Sequence, residues 1–178
     1  RHFNSVEINN SFYQLPTKTT MRQWYDTVGE SFLFTVKASR YITHTKKLRE
    51  PEKTLDKFLD TIAVLGEKSG PVLFQLPPRW SVNIERFEAF LQALPESITP
   101  VFEFRNHSWL TPEIYSLCSR YGAAICIYEI DGFISPKEVT SSTVYIRLHG
   151  PEAAYKGKYD TQTLSGWAGA ITSWYRQK

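Results

Sequence analysis

Six short runs rich in aromatic and β-branched residues recur along the chain, at Ser5–Asn9, Phe32–Ala38, Pro71–Leu76, Pro100–Arg105, Ala124–Tyr128 and Val144–His149. Helical patterns separate most of them. Strands alternating with helices in this way build βαβ units with parallel pairing. Two architectures satisfy that rhythm, an open doubly wound sheet and a barrel.

The two faces of the strands decide between them. Side chains alternate across a strand, so each run splits into two sets. One set is apolar: Val6 and Ile8; Phe32, Phe34 and Val36; Val72, Phe74 and Leu76; Phe102 and Phe104; Val144, Ile146 and Leu148. The other turns polar toward the C-terminal end: Glu7 and Asn9; Thr35 and Lys37; Gln75; Glu103 and Arg105; Tyr145, Arg147 and His149. Only Ala124–Tyr128 is apolar along its length. Helices cover both faces of an open parallel sheet, whose strands therefore read as near-continuous apolar runs. Charged residues under those helices would be costly without partners. A barrel removes the conflict. Its apolar face packs on a ring of helices, and its polar residues point inward near the strand C-termini, where (β/α)8 enzymes place their sites.

The expected fold is therefore α/β, a TIM (β/α)8-type barrel, with residues 1–178 forming a single domain. Six strands are legible rather than eight, and a complete barrel takes roughly 250 residues. The chain opens just before a strand and stops within a helical pattern. The expectation is a truncated barrel lacking its first and last strands, with two exposed sheet edges.

The helices carry start and stop signals. Leu55, Phe58, Leu59, Ile62 and Leu65 step by three and four, as do Ile84, Phe87, Phe90, Leu91 and Leu94, with Asn83 as N-cap. Thr111-Pro112-Glu113 places a cap, a proline and an acid in the order a helix start favours, and Gly122 ends that helix. Ile114, Leu117, Cys118 and Tyr121 point inward from it. A last helix, capped by Asp160 or Thr161, is expected to turn Leu164, Trp167, Ile171 and Trp174 inward. Thr20–Val28 forms a shorter one.

Composition excludes several classes. At 42% apolar and 22% charged, the chain is an ordinary globular protein rather than a disordered segment or a coiled coil. A net charge of +3 without a clustered basic face gives little support to a nucleic-acid footprint. The densest basic cluster, Lys46, Lys47 and Arg49, runs straight into Glu50 and Glu52 and reads as a solvated face. Cys118 and Cys126 lie in apolar patterns and read as reduced core residues. With no signal-peptide pattern and no apolar run approaching about 20 residues, the expected location is cytoplasmic, away from membranes.

Five ordered segments carry a family resemblance. They are Phe-Asn-Ser-Val-Glu-Ile-Asn-Asn-Ser-Phe-Tyr at Phe3–Tyr13, Phe-Thr-Val-Lys at Phe34–Lys37 with Thr43-His44 following, Gly-Pro-Val-Leu-Phe-Gln-Leu-Pro-Pro at Gly70–Pro78, Glu-Phe-Arg-Asn-His-Ser-Trp at Glu103–Trp109, and Val-Tyr-Ile-Arg-Leu-His-Gly at Val144–Gly150. Together they resemble the domain-of-unknown-function 72 family, also called YecE-like, from Phe3 to at least Trp174. The resemblance implies a TIM-barrel-like fold and supplies no activity. Members of that family usually open with a Gly- and Trp-containing strand segment and close with a strand carrying Phe-Asn-Asn. Neither occurs in this sequence, so any site residues they supply are absent from it.

The polar interior set is the candidate site. Lys37, Arg105 and Arg147 outnumber Glu7 and Glu103 by one charge, which suits a small anionic or phosphate-bearing substrate. Arginine grips phosphate and carboxylate bidentately. Glu7 or Glu103 is the candidate base and His149 the partner acid, with Lys37 beside them. Asn9 and Gln75 orient the substrate, with Arg105 and Arg147 binding it. His44 is a further acid–base group at the mouth, or simply a hydrogen-bonded loop histidine. Trp109 and Tyr13 are candidate aromatic walls, although each equally suits packing, Trp109 over the top of the helix that begins at Thr111.

Other chemistries fit less well. Paired carboxylates suggest a glycosidase, but neighbouring cations disfavour a protonated donor. Glu7, Glu103, His107 and His149 are a conceivable divalent-metal set; their spacing is not diagnostic, and no cofactor is evident. Gly-x-Ser-x-Gly, Gly-x-Gly-x-x-Gly and Walker A patterns do not occur. Two alternatives to an enzyme stay open. One is a nucleic-acid or nucleotide binder without turnover, stacking bases on aromatics. The other is a structural barrel filled by an internal salt-bridge network.

Overall fold

The structure, a computed structural model, describes residues 3–176. Strand and helix alternate as β1 (Ser5–Ile8), α1 (Lys18–Thr27), β2 (Leu33–Lys37), α2 (Pro51–Ile62), β3 (Ser69–Leu76), α3 (Ile84–Ala93), β4 (Pro100–Phe104), α4 (Pro112–Arg120) and β5 (Ala124–Ile130). A short β6 (Phe133–Ile134) and then β7 (Tyr145–Leu148) and α5 (Thr161–Arg176) complete the order. The strands pair in parallel in the sequence β1-β2-β3-β4-β5-β7, and β6 alone runs antiparallel, against β5. All six expected strands are therefore present, to within a residue or two at their ends.

The sheet curls. β1 and β7 lie at opposite ends of the parallel order, yet Arg147 on β7 donates to Glu7 on β1 at 2.8 Å. The outcome is a curled, mostly parallel half-barrel of six strands.

Local chemistry fixes the helices. Thr17 caps α1 by accepting from the Thr20 amide, Asn83 caps α3 from Arg86 at 2.9 Å, and Thr111 caps α4 from Ile114. Pro112 opens α4, and Gly122, at φ +64°, takes the left-handed turn beyond its end. Asp160 accepts from the Thr163 amide at the start of α5.

The main core lies between the convex face of the sheet and the helices. Phe74, Phe87, Phe90, Phe102, Phe104 and Trp109 are almost wholly buried there. Phe74 stacks on Phe102 with ring centroids 5.3 Å apart. A second, smaller cluster fills the concave face: Leu73, Val101, Ala124, Cys126 and Tyr128. The interior is thus apolar below and polar above, toward the strand C-termini. Cys118 and Cys126 are free and buried, each in one of the two clusters.

Two expectations change. In α5 only Trp167 is buried, while Leu164 and Ile171 are about half exposed. Periodicity marks an apolar stripe, but what covers a stripe depends on neighbouring elements. The second change is β6, which sequence periodicity missed. Asp131 and Gly132, at φ +50° and +75°, form a two-residue turn that folds β6 back on β5, pairing Ile130 with Phe133. Asp-Gly is a favoured pair for such turns because both central residues need positive φ.

Candidate functional site

Glu103 is the centre of the concave face. It is fully buried, and its register neighbour on β3 is Gln75. One carboxylate oxygen accepts from Gln75 Nε2 at 2.6 Å and from Arg105 Nε; the other accepts from Arg147 Nη1 at 2.7 Å and faces the Cys126 thiol at 3.8 Å. Burial by itself would raise the Glu103 carboxyl, but Arg105 and Arg147 outweigh it and hold the group below the usual carboxylate range. Every lone-pair direction is engaged. Glu103 is an anchor for two guanidiniums, not a free base.

Arg147 spans the trough. Its Nη2 donates to Glu7 at 2.8 Å and reaches Asn9 Oδ1 at 3.3 Å, and Tyr145 donates to the second oxygen of Glu7. Burial lowers the Arg147 guanidinium, but Glu103 and Glu7 more than reverse that and hold it firmly charged. Arg105 lies over the Tyr128 ring at 4.6 Å and meets His149 Nε2 at 2.9 Å. Guanidinium only donates, so His149 accepts through Nε2 and is neutral in this arrangement. Burial, then Arg147 and Arg105, keep its pKa below the ordinary histidine value.

Lys37 differs from all of these. Only 9% of it is exposed, yet its ammonium makes no hydrogen bond or ion pair among the described residues. Nζ lies 4.3 Å from the centroid of the Phe12 ring. Burial, and next the charge of Arg147, push its pKa down. His44 stands edge-on to the same Phe12 ring, centroids 5.0 Å apart. Thr43 donates its hydroxyl to Ser39 O and can then accept from His44 Nδ1, at 2.9 Å. That leaves the lone pair of His44 on Nε2. Burial, Arg40 and Lys37 lower its pKa to about 4.

An open cleft of about 460 Å³ lies at the C-terminal ends of β3, β4 and β5. His44, Gln75 and Arg105 line it, joined by Tyr128, His107, Asp131, Phe133 and Tyr155. His107 and Phe133 stack at 4.6 Å and form one wall. A larger hollow, about 600 Å³, opens at the other end of the strands around Pro95, Pro100 and Gly122 and contains none of the interior polar groups.

The fold brings together Glu7, Glu103, Lys37, Asn9, Gln75, Arg105, Arg147 and His149 on one face, with His44 at the cleft. It does not bring Trp109 or Tyr13 there. Trp109 is fully buried on the helix side, stacked on Phe104 at 5.4 Å, with Nε1 donating to Trp80 O at 2.8 Å. Tyr13 is 84% exposed, in an edge-to-face contact with Phe12. Trp109 and Tyr13 follow strand ends, but each turns at the next 3-10 turn to a different surface. Tyr128 and Phe133 were missed as site residues. The Asp131-Gly132 turn was the available signal for Phe133; nothing local marks Tyr128.

Among the described residues, no three of His, Cys, Asp and Glu gather as a metal site. Glu7 and Glu103 are instead taken up by Arg147 and Arg105. No described helix is long and apolar enough to cross a membrane.

A half-barrel with a polar concave face and a cleft at its strand C-termini defines an α/β protein of barrel-like type. Its family is also clear: a family model described as "Protein of unknown function DUF72" matches residues 1–178, and the chain belongs to that family. It is 29% identical over 123 residues to the UPF0759 protein YunF of Bacillus subtilis, a stretch covering 64% of this chain and 43% of YunF. It is 29% identical over 107 residues to the UPF0759 protein YecE of Escherichia coli K12, covering 60% and 39%. The matched stretches thus span less than half of those relatives. Two solved structures share the fold: a DUF72 family protein (EF0366) from Enterococcus faecalis V583, with TM-score 0.83 and 22% identity over 98% of this chain and 79% of that one, and a DUF72 family protein (TM1631) from Thermotoga maritima MSB8, with TM-score 0.82 and 24% identity over 98% and 74%.

Proposed function

We propose that this half-barrel is part of a TIM (β/α)8-type barrel and that the protein is an enzyme. Its substrate is a small anionic or phosphate-bearing molecule bound at the C-terminal mouth. The observation that carries the reading is the pairing pattern. Arg105 and Arg147 are matched by Glu103 and Glu7 at ion-pair distance, whereas Lys37 has no carboxylate within reach. Lys37 is therefore a cation without an ion-pair partner in a partly desolvated trough. An anion is the natural partner.

The roles follow from the geometry. Lys37 and the field of the two arginines attract the anion. Gln75 and Asn9 orient it from the rim. His44 offers Nε2 as the proton acceptor, and a bound anion would raise its proton affinity toward the working range. His149 and the Glu103–Arg105 pair position the donors. The four-membered Glu7–Arg147–Glu103–Arg105 network also suits the purely structural alternative, in which it only fills the interior. The unmatched Lys37 is what favours binding.

Thermal unfolding with inorganic phosphate tests this. A ligand at 100 times its Kd adds roughly 2.7 kcal/mol of stability. Phosphate is expected to raise the melting temperature of the intact protein, and Lys37→Met to abolish the rise. No shift with phosphate, with small carboxylates or with sugar phosphates would overturn the proposal.

A further inference from the structure

Among the described residues two lysines are buried, and they are buried differently. Lys68 is 4% exposed and donates to Tyr25 O at 2.7 Å and to Val28 O at 3.0 Å. Its charge is solvated by carbonyls in place of water. Lys37 has only an aromatic face. Its environment is the concave face: Arg147, Arg105, Glu103 and Glu7 within its field, and His44 beyond Phe12. Arg147 is held charged by Glu103 and Glu7, so it does not yield to Lys37.

Lys37 Nζ also remains reachable. Among the described residues, Glu129 Oε2 is the single fully buried side-chain nitrogen or oxygen without a partner. Lys37 Nζ lacks a partner and does not share that condition, so it keeps contact with solvent. A mostly desolvated amine that feels the charge of Arg147, keeps contact with solvent and is free of hydrogen bonds has the properties of a nucleophilic lysine.

We infer that Lys37 forms a Schiff base with a small carbonyl compound bearing an acidic group, a 2-oxo acid or a phosphorylated aldehyde. The inference rests on the anion site proposed above and adds covalent chemistry to it. The Nζ lone pair attacks the carbonyl carbon, forming the N–C bond. The carbonyl π electrons move to oxygen, which takes a proton from solvent while the attacking nitrogen releases one, giving the neutral carbinolamine. The C–O bond then breaks, its electrons leaving with oxygen as water after a second protonation, and nitrogen and carbon share the new double bond. Amine, carbonyl and one proton become a protonated imine and one water. No oxidant or reductant takes part. Arg105, which lines the cleft, is the donor for the substrate's acidic group.

The test is reductive trapping on the intact protein. Pyridoxal 5′-phosphate, as an anionic aldehyde, and pyruvate, as a 2-oxo acid, are each incubated with the protein near neutral pH. Borohydride is added, and the adducts are located by peptide mass spectrometry. The expected result is a reduced adduct at Lys37 with at least one of the two, at an occupancy several-fold above Lys18, Lys53, Lys57 and Lys68. Excess inorganic phosphate should suppress it, and Lys37→Arg should lose it. Adducts on exposed lysines with Lys37 unmodified would overturn the inference, and that experiment needs no variant to fold. The two readings fail separately. If phosphate raises the melting temperature but Lys37 is not trapped, the anion site stands and the covalent role falls. If Lys37 is trapped and phosphate neither stabilises nor competes, the amine chemistry stands and the anion reading falls.

Discussion

Arg147 and Glu7 stand 140 positions apart in the chain and on opposite edges of the parallel sheet, yet their side chains meet at 2.8 Å. In a flat sheet with strands about 4.8 Å apart, five steps would separate them by about 24 Å. Only a strongly curled sheet lets one guanidinium join Glu7 on β1 to Glu103 on β4. The same pair therefore reports both the architecture and the electrostatic arrangement inside it.

Removing that guanidinium leaves two carboxylates, one fully buried, short of a partner. Breaking a buried pair from one side costs about 3–5 kcal/mol, whereas removing both partners costs far less. Arg147→Met should therefore lose about 3–5 kcal/mol in urea unfolding. Arg147→Met combined with Glu7→Gln should recover part of it, because Glu103 keeps Arg105 and Gln75. A loss below about 1 kcal/mol in the single variant would show the pair to behave as a surface salt bridge does.

The histidines set an acid limit. The folded pKa of His44 is about 4, against 6.5 in the unfolded chain, so the unfolded state binds more protons between those values. The stability this gives is complete above pH 6.5 and is lost as pH falls toward 4. His149 is shifted the same way. Unfolding free energy measured across that window should drop for the native protein and drop less steeply for His44→Gln. An unchanged slope in the variant would contradict the half-buried, neutral imidazole.

Glu103 contributes at lower pH. Its folded pKa is depressed, so its stabilisation is present above the unfolded carboxylate value, about 4.3, and disappears as pH falls through the folded one. Glu103→Gln should have a shallower acid-unfolding profile below pH 4.3 than the native protein, even if it is less stable at neutral pH. Circular dichroism against pH reads this directly.

Trp109 is a core residue. Trp109→Ala should cost about 3–5 kcal/mol through the cavity it leaves. Trp109→Phe keeps the stacking on Phe104 and leaves Trp80 O without its donor, for about 1–3 kcal/mol. In the Phe variant, phosphate affinity by calorimetry should be unchanged. A marked loss of affinity would return Trp109 to the site.

The hairpin wall can be tested at Gly132. It sits at φ +75° with open space around its missing Cβ, so Gly132→Ala introduces conformational cost and no clash. The left-handed region costs about 1–2 kcal/mol for a residue with a side chain. Stability should fall by that amount, and amide exchange at Phe133 and Ile134 should speed up. No change at those amides would show that the turn does not depend on its glycine.

Much of this was legible in the chain itself. The alternation of Phe102, Glu103, Phe104 and Arg105 assigns each side chain to a face, because the period of a strand is two and buried charge needs an interior to share. The caps at Asn83 and Thr111 and the stop at Gly122 are equally local, since each satisfies or ends a few backbone groups within one turn. What only the tertiary structure decided is which of those faces meet. That Glu103 is saturated by Gln75, Arg105 and Arg147, that Lys37 is left without a partner, and that Trp109 turns to the helix side all depend on sheet curl and strand register. Those are set by packing between segments far apart in the chain. The half-exposed stripe of α5 belongs to the same category: periodicity gives a helix its apolar face, and neighbouring elements decide what that face touches.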